Sequence, residues 1–586
     1  MPSYTAPVDD TLFLLFDVLG LDRHANLPGF ADINRELVTA VLSEAGRFSE
    51  TALQPLNLSG DLQGCTRLAT GDVVTPNGFK EAYRALAEGG WCGLAADPAY
   101  GGQGLPHVLA TAVNEFVSSA NMAFGMYPGL TQGAIAALAL HGSDEQKRAY
   151  LPNMISGLWT GTMNLTEAHC GTDLGMIRTR AARQDDGSFR ITGAKIFISA
   201  GEHDLADNIV HLVLARIEGA PEGTRGISLF VAPKALADGT RNALSCGAVE
   251  RKMGIHGNAT CVMNYDGATA WLVGQENRGL PAMFTMMNEA RLGVGVQGLS
   301  QSEVAYQNAA AYAKERLQGR ALTGAKAPDK PADPIIVHPD VRRTLLEIRA
   351  FNEAARALIL WTALKGDVGR ATADREEAQA CEDHLGLLTP VIKAVVTDIG
   401  FDNTVKAQQM FGGHGYIADW GMEQFVRDAR IAMVYEGANG VQAMDLVGRK
   451  LPRDGGRALM AFSREIDLFL KENEGGDGLA PFLGPLKAAK DDLQKATMWL
   501  MANAMGRPDE AGAAASDYMR LFGLVALGYM WGRIAKPALE KGGEAMETKL
   551  VAGRFFMERM LPETAFRLAR VSAGSKSVMA LARDAF

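Results

Sequence analysis

The strongest constraint on this chain is a change in the period of its apolar residues. Up to about residue 158 they recur at helical spacing, and Ser143-Asp-Glu-Gln146 has the form of a capping box opening one of the helices, with Pro152 limiting it. From about residue 159 to 273 the pattern breaks into short runs rich in β-branched residues, with Gly, Asp, Asn and Pro between them. Helical spacing returns at about residue 280. Segment 324–339 carries Pro328, Pro331, Pro334 and Pro339 and is expected to be a loop. Long helices are expected over 283–316, 341–365 and 388–410; the last has a stripe at Val391, Val395 and Ile399 and a stop at Gly412-Gly413. Another boundary falls near Pro452, followed by four or five more helices. The order predicts an α+β chain with segregated layers, not alternating βαβ units. Its parts are an N-terminal helical domain over 1–158 (with an extension at about 1–35), a middle β-barrel or sandwich over 159–275, a helical domain over 276–451 and an extra helical module over 452–586.

Composition removes several classes of function. The formal charge of −9 argues against a dedicated nucleic-acid binder. Six scattered cysteines without a CxxC pair suggest neither zinc nor a disulfide framework. Asp9, Asp10 and Asp17 around the first apolar run are unlike an export signal, and no uncharged run approaches the ~18 residues that span a bilayer. A cytoplasmic protein without membrane insertion is expected.

Three segments have the residue types that chemistry needs. Thr166-Glu-Ala-His-Cys-Gly-Thr-Asp173 offers hydroxyls, carboxylates and backbone N–H groups in a Gly-containing turn; it suits a polar ring edge or a phosphate, or simply a tight turn. Gly412-Gly-His-Gly415 reads by itself as a helix end. Glu436, in Tyr435-Glu-Gly437, is a carboxylate between apolar chain and glycine, which fits a desolvated general base or a solvated glutamate near a helix start.

Taken in order, these segments resemble the acyl-CoA dehydrogenase family over about 84–450. The matching runs are 142–152, Leu165-Thr-Glu-Ala-His-Cys-Gly-Thr-Asp173, Gln409-Met-Phe-Gly-Gly-His-Gly-Tyr416 with Arg427-Asp428, and Tyr435-Glu-Gly437. The flanks, including Gly101-Gly-Gln-Gly-Leu-Pro106 and the C-terminal module, are similar to a long bacterial subgroup. The resemblance implies an FAD enzyme that dehydrogenates a short or thioether acyl-CoA, with a four-helix bundle over 276–451. It implies Glu436 as catalytic base, with Met163, Leu165, Thr166, Gly171, Thr172, Phe197 and Ser199 on the flavin. Arg316 and Gln318 are implied to reach the FAD of a neighbouring subunit, and Gln409, Gly412 and Gly413 to lie near the adenosine half of FAD. Thr172, Asn288, Arg291, Tyr435 and Gly437 are implied on the substrate. Phe197 and Ser199 stand where Trp and Thr are usual, and Asn288 where Asp is. The other base position used in the family is Ala290 here, and Glu289 is rotated from it by about 100° of helix. The implied electron acceptor is an electron-transfer flavoprotein, and no metal is expected; the extra module reads as a cover over a face used for tetramers, which would leave a homodimer, or as a partner-binding domain. An acyl-CoA oxidase and a non-catalytic helical scaffold are the alternatives.

Overall fold

The computed structural model describes residues 2–504 and 506–586. Its contacts group into two compact units, 47–293 and the pair of segments 1–46 with 294–586.

The first unit holds helices and the β-domain. The helix Asp144–Ile155 opens on the expected box: the Ser143 hydroxyl accepts from Gln146 N–H, the Gln146 side chain returns to Ser143 N–H, and Pro152 stands in the last turn. Two short strands, β1 (Thr66–Arg67) and β2 (Val73–Val74), form a ribbon that sequence spacing did not suggest. The main sheet comprises β3 (Trp159–Asn164), β4 (Arg180–Arg183), β5 (Phe189–Ser199), β6 (Asn208–Ile217), β7 (Ile227–Pro233), β8 (Leu244–Val249) and β9 (Thr260–Val273). β4 pairs with β5, β5 with β9, β9 with β7 and β7 with β6, and β6 returns parallel to β4, so the ring closes as a barrel. β3 runs parallel beside β6 with Trp159 opposite Asn208, and β8 lies on β9.

β6 shows why this ring has two cores. Its inward residues Val213, Ala215 and Ile217 pack with Phe189, Phe230 and Met263 inside the barrel. Its alternate residues Val210, Leu212 and Leu214 pack outward with Leu138, Met154 and Met286 from helices. A strand buried on both faces needs a continuous apolar run, which is what 209–217 is.

The second unit is helical. Its bundle uses the later part of Gly279–Glu315 with Pro339–Ala371, Arg375–Val391, Thr397–Met410 and Asn439–Asp445. A π-type turn, Ile392–Val396, joins Arg375–Val391 to Thr397–Met410, and Val391, Val395 and Ile399 are all buried. An apolar 18-residue window in Arg375–Met410 has the composition of a membrane span, but 72% of it is buried among its neighbours, as in a core helix. The proline-rich loop is ordered around Asp333. That carboxylate accepts from the N–H groups of Ala321 (2.9 Å), Lys326 (2.9 Å) and Ala327 (2.7 Å) and from Arg320 (3.2 Å).

Among the described residues five α-helices follow: Arg457–Glu472, Ala480–Asn503, Pro508–Lys541, Glu544–Phe555 and Glu563–Ser572. The apolar stretch at 521–531 is the buried middle of Pro508–Lys541. Trp531 is fully buried there and donates its indole N–H to Ala350 O at 3.0 Å.

Candidate active site

Of the segments singled out above, 165–173 lies in the first unit, and 412–415 and 435–437 lie in the second. In the first unit, β3 ends at Asn164 and Leu165–Thr166 continue from it. Ile196 N–H donates to Thr166 O at 2.9 Å, which sets Leu165–Thr166 beside the end of β5. There β5 has a register shift between Lys195 and Ile198, and Phe197 sits at φ +59°. The bulge turns the Phe197 ring outward, where it is 60% exposed. Such exposure and strain in an aromatic residue point to a binding surface. Among the described residues neither the Thr166 nor the Ser199 hydroxyl has a hydrogen-bond partner. An open aromatic face at the same strand end as two unengaged hydroxyls suits a flat, polar heteroaromatic ring, so these residues fit the flavin that the resemblance implies.

The remainder of this signature is a tight turn. Glu167 and Cys170 bridge each other through backbone hydrogen bonds of 3.0 and 2.9 Å, and Cys170 Sγ donates to Asp173 O at 3.0 Å. Gly171 and Thr172 are exposed, with nothing near the space a Cβ on Gly171 would fill. Met163 is half-buried in β3.

The turn rests on a buried ion pair that motif reading missed. Lys195 has no exposed surface, and its Nζ donates to Glu167 Oε1 at 2.8 Å and to Leu165 O at 3.0 Å. Glu167 also accepts from Thr179 N–H (3.0 Å), Thr179 Oγ1 (2.7 Å) and Arg178 N–H (2.8 Å). Burial pushes the Lys195 ammonium down to about 8 against the pull of Glu167. Burial also works against the Glu167 carboxylate, but Lys195 and these hydrogen bonds outweigh it and hold it below its usual range. A signal was present: Lys195 takes an inward position of an alternating strand, where a charge requires a partner. The double substitution Lys195→Met, Glu167→Gln removes both charges together and avoids an unpaired one. It is expected to weaken FAD retention about tenfold, or about 1.4 kcal/mol, through loss of the charge-assisted bond to Leu165 O. Titration of the apoprotein with FAD measures this, and unchanged affinity would exclude the pair from positioning that turn.

Asn288 and Arg291 lie one turn apart on Gly279–Glu315, with Arg291 Nη1 donating to Asn288 Oδ1 at 3.3 Å. Glu289 pairs with His107 at 3.4 Å, so its carboxylate is engaged in a direction of its own.

In the second unit, Glu436 sits in a left-handed conformation at φ +56°, followed by Gly437 at φ +88°. The φ of Gly437 favours glycine, and a Cβ there would lie 2.4 Å from Gln442 Nε2 and displace that amide. Gln442 Nε2 donates to Glu436 O at 3.2 Å. Tyr435 donates its hydroxyl to Gln297 Oε1, a partner that no motif indicated. Burial, reinforced by the neighbouring Glu436, pushes the Tyr435 phenol far above its usual value and keeps it a neutral donor. Arg316 and Gln318 are exposed just beyond the end of Gly279–Glu315, and Gln409, Gly412 and Gly413 are exposed at the end of Thr397–Met410. Tyr312 links these two ends: it stacks on Phe411 with ring centroids 4.1 Å apart, and its hydroxyl meets His414 Nδ1 at 2.9 Å.

Comparison with known proteins places these turns in context. The acyl-CoA dehydrogenase N-terminal, middle and C-terminal domain models match residues 69–158, 162–268 and 277–451. A model described as acetyl-CoA dehydrogenase C-terminal like matches 462–582. The chain is 42% identical to the 3-methylmercaptopropionyl-CoA dehydrogenase of Ruegeria pomeroyi, over 98% of this chain and 99% of that one. It is 34% identical to a broad-specificity linear acyl-CoA dehydrogenase of Mycobacterium tuberculosis, over 96% of each. An acyl-CoA dehydrogenase of Bacillus anthracis complexed with FAD shares the fold, with a TM-score of 0.75 at 20% identity, over 95% of this chain and 91% of that one.

Proposed function

Because the chain belongs to the acyl-CoA dehydrogenase family, we propose that its acyl-CoA substrate is 3-methylmercaptopropionyl-CoA, oxidised to the methylthioacryloyl ester with Glu436 as base. The supporting observation is 42% identity sustained over 98% of the chain to an enzyme of that name. The enzyme is an FAD-dependent oxidoreductase acting on the CH–CH bond of an acyl-CoA.

The chemistry assigns each residue a task. A thioester α-proton is weakly acidic, so a carboxylate held close to it must take the proton as the β-hydrogen leaves with its electron pair and the C=C bond forms. Glu436 is that carboxylate, and its backbone N–H donates to the thioester oxygen as charge develops there. FAD, when bound beside these residues, would supply the hydride acceptor. Leu165, Thr166, Phe197 and Ser199 hold the ring, while Gly171 and Thr172 leave room along the pyrophosphate. Asn288 and Arg291 contact CoA, and Tyr435 and Gly437 border the acyl chain. Arg316, Gln318, Gln409, Gly412 and Gly413 serve the FAD of the second copy in a homodimer. An electron-transfer flavoprotein takes the electrons onward, and the setting is dimethylsulfoniopropionate catabolism in the cytoplasm.

Oxygen-free titration of the purified yellow protein with acyl-CoAs tests the substrate. 3-Methylmercaptopropionyl-CoA is expected to bleach the flavin at a lower half-saturating concentration than a long-chain ester, and no higher than butyryl-CoA. A long-chain ester ranking first would remove the named substrate and leave the family reaction standing.

A further inference from the structure

We propose that Lys393 is a positioning residue for the reaction: its buried ammonium holds the turn that carries Glu436 in the left-handed conformation, an inference that rests on Glu436 being the base. Lys393 interrupts the apolar run Val391-Ile-Lys-Ala-Val-Val396 and has no exposed surface. A cation in such a place is costly unless its protons are matched by acceptors, and an apolar residue would pack there at lower cost. The acceptors are specific. Nζ donates to Gly437 O at 2.7 Å and to Asn439 Oδ1 at 2.8 Å, grasping the residue after Glu436 and the first residue of the helix Asn439–Asp445.

Asn439 is fixed in turn. Its Nδ2 donates to Asp398 Oδ1 (2.6 Å), Thr397 Oγ1 (2.9 Å) and Ala394 O (3.1 Å). All three partners lie in or just after the π-type turn Ile392–Val396 that carries Lys393. One inserted residue in that helix therefore presents a lysine and the Asn439 partners together to the 436–439 segment. A non-glycine residue persists at positive φ only where its surroundings over-determine it, and Gln442 on one side with Lys393 on the other do so for Glu436.

The test uses FAD-loaded protein and a thioester with an α-hydrogen but no β-hydrogen, acetyl-CoA, in D2O. Exchange of its α-protons reads the base without hydride transfer. Lys393→Met keeps the stem and deletes the donors. It is expected to retain FAD and the acetyl-CoA dissociation constant while exchange slows about 10- to 100-fold, the cost of a base misplaced by about an ångström. Flavin bleaching by 3-methylmercaptopropionyl-CoA should slow by a similar factor. Exchange at the wild-type rate in folded Lys393→Met overturns the proposal. If that variant does not fold, Asn439→Ala, which removes the lysine's second anchor, must slow exchange with FAD content intact; an unchanged rate there overturns it equally. Glu436→Gln separates the two readings. Exchange persisting in that variant sinks the base assignment, whereas a dead Glu436→Gln beside a normal Lys393→Met sinks only the role of the lysine.

Discussion

Glu436→Gln is expected to yield a folded, yellow protein that binds acyl-CoA but reduces its flavin about 10²- to 10⁴-fold more slowly than the wild type, the usual worth of a positioned general base. The side chain keeps its size, and the backbone bonds that hold the turn, from Gln442 to Glu436 O and from Lys393 to Gly437 O, do not involve the carboxylate. Folding and FAD content should therefore be close to normal, and the loss should appear in the rate of bleaching rather than in binding. Near-normal bleaching would reassign the base. Glu289 is a poor replacement, since it is already paired with His107.

The second large effect concerns stability. Asp10 lies close to Arg356 Nη1 (2.7 Å) and to the Lys549 ammonium. Arg356 also reaches Glu303 at 3.1 Å, Lys549 reaches Glu353 at 2.7 Å, and Arg349 reaches Glu353 at 2.8 Å. This cluster joins the first helix, two bundle helices and the C-terminal module within one compact unit. Asp10→Asn leaves Arg356 and Lys549 short of a counter-charge in a largely buried place. It is expected to cost about 3–5 kcal/mol, seen as an earlier denaturant midpoint. Burial raises the Asp10 carboxyl, but Lys549 and Arg356 outweigh burial and hold it down at about 2. With the folded value below the unfolded one, this stabilisation is complete above about pH 4 and fades as pH falls toward 2. The gap between wild type and Asp10→Asn should therefore narrow on acidification over that window. A gap independent of pH would show that the carboxylate charge is not what stabilises the cluster.

Much of the fold was readable because its signals are local. The change of period, the Ser143 capping box, the proline-rich loop and the stop at Gly412 each depend on a few neighbouring residues, and the structure has all of them. What sequence spacing left open depends on contacts between distant residues. Barrel closure rests on β6 pairing with both β4 and β7, and no property of 208–217 alone selects a barrel over a sandwich. Glu436 stood out by its setting, whereas the cations behind the two turns carried at most an indirect signal, the inward place of Lys195 in the alternation of its strand. Lys393 looks like a solvated charge until the helix around it is known to be buried on that side. Gln297 was equally silent, lying 138 positions from the tyrosine it binds.

The close seat of the C-terminal module has a consequence for how this enzyme fails. A Cβ on Gly523 would lie 2.6 Å from Val395, so the Pro508–Lys541 helix meets the π-type turn at near-backbone distance, and it also packs on Asn439–Asp445. Lys393 and Asn439 thus stand on elements whose far sides are walled by the added helices. Clipping the chain near Pro452 would strip the apolar backing from the scaffold of the base and yield no smaller working enzyme. Heat or a protease that loosens the last helices should silence catalysis at the same moment.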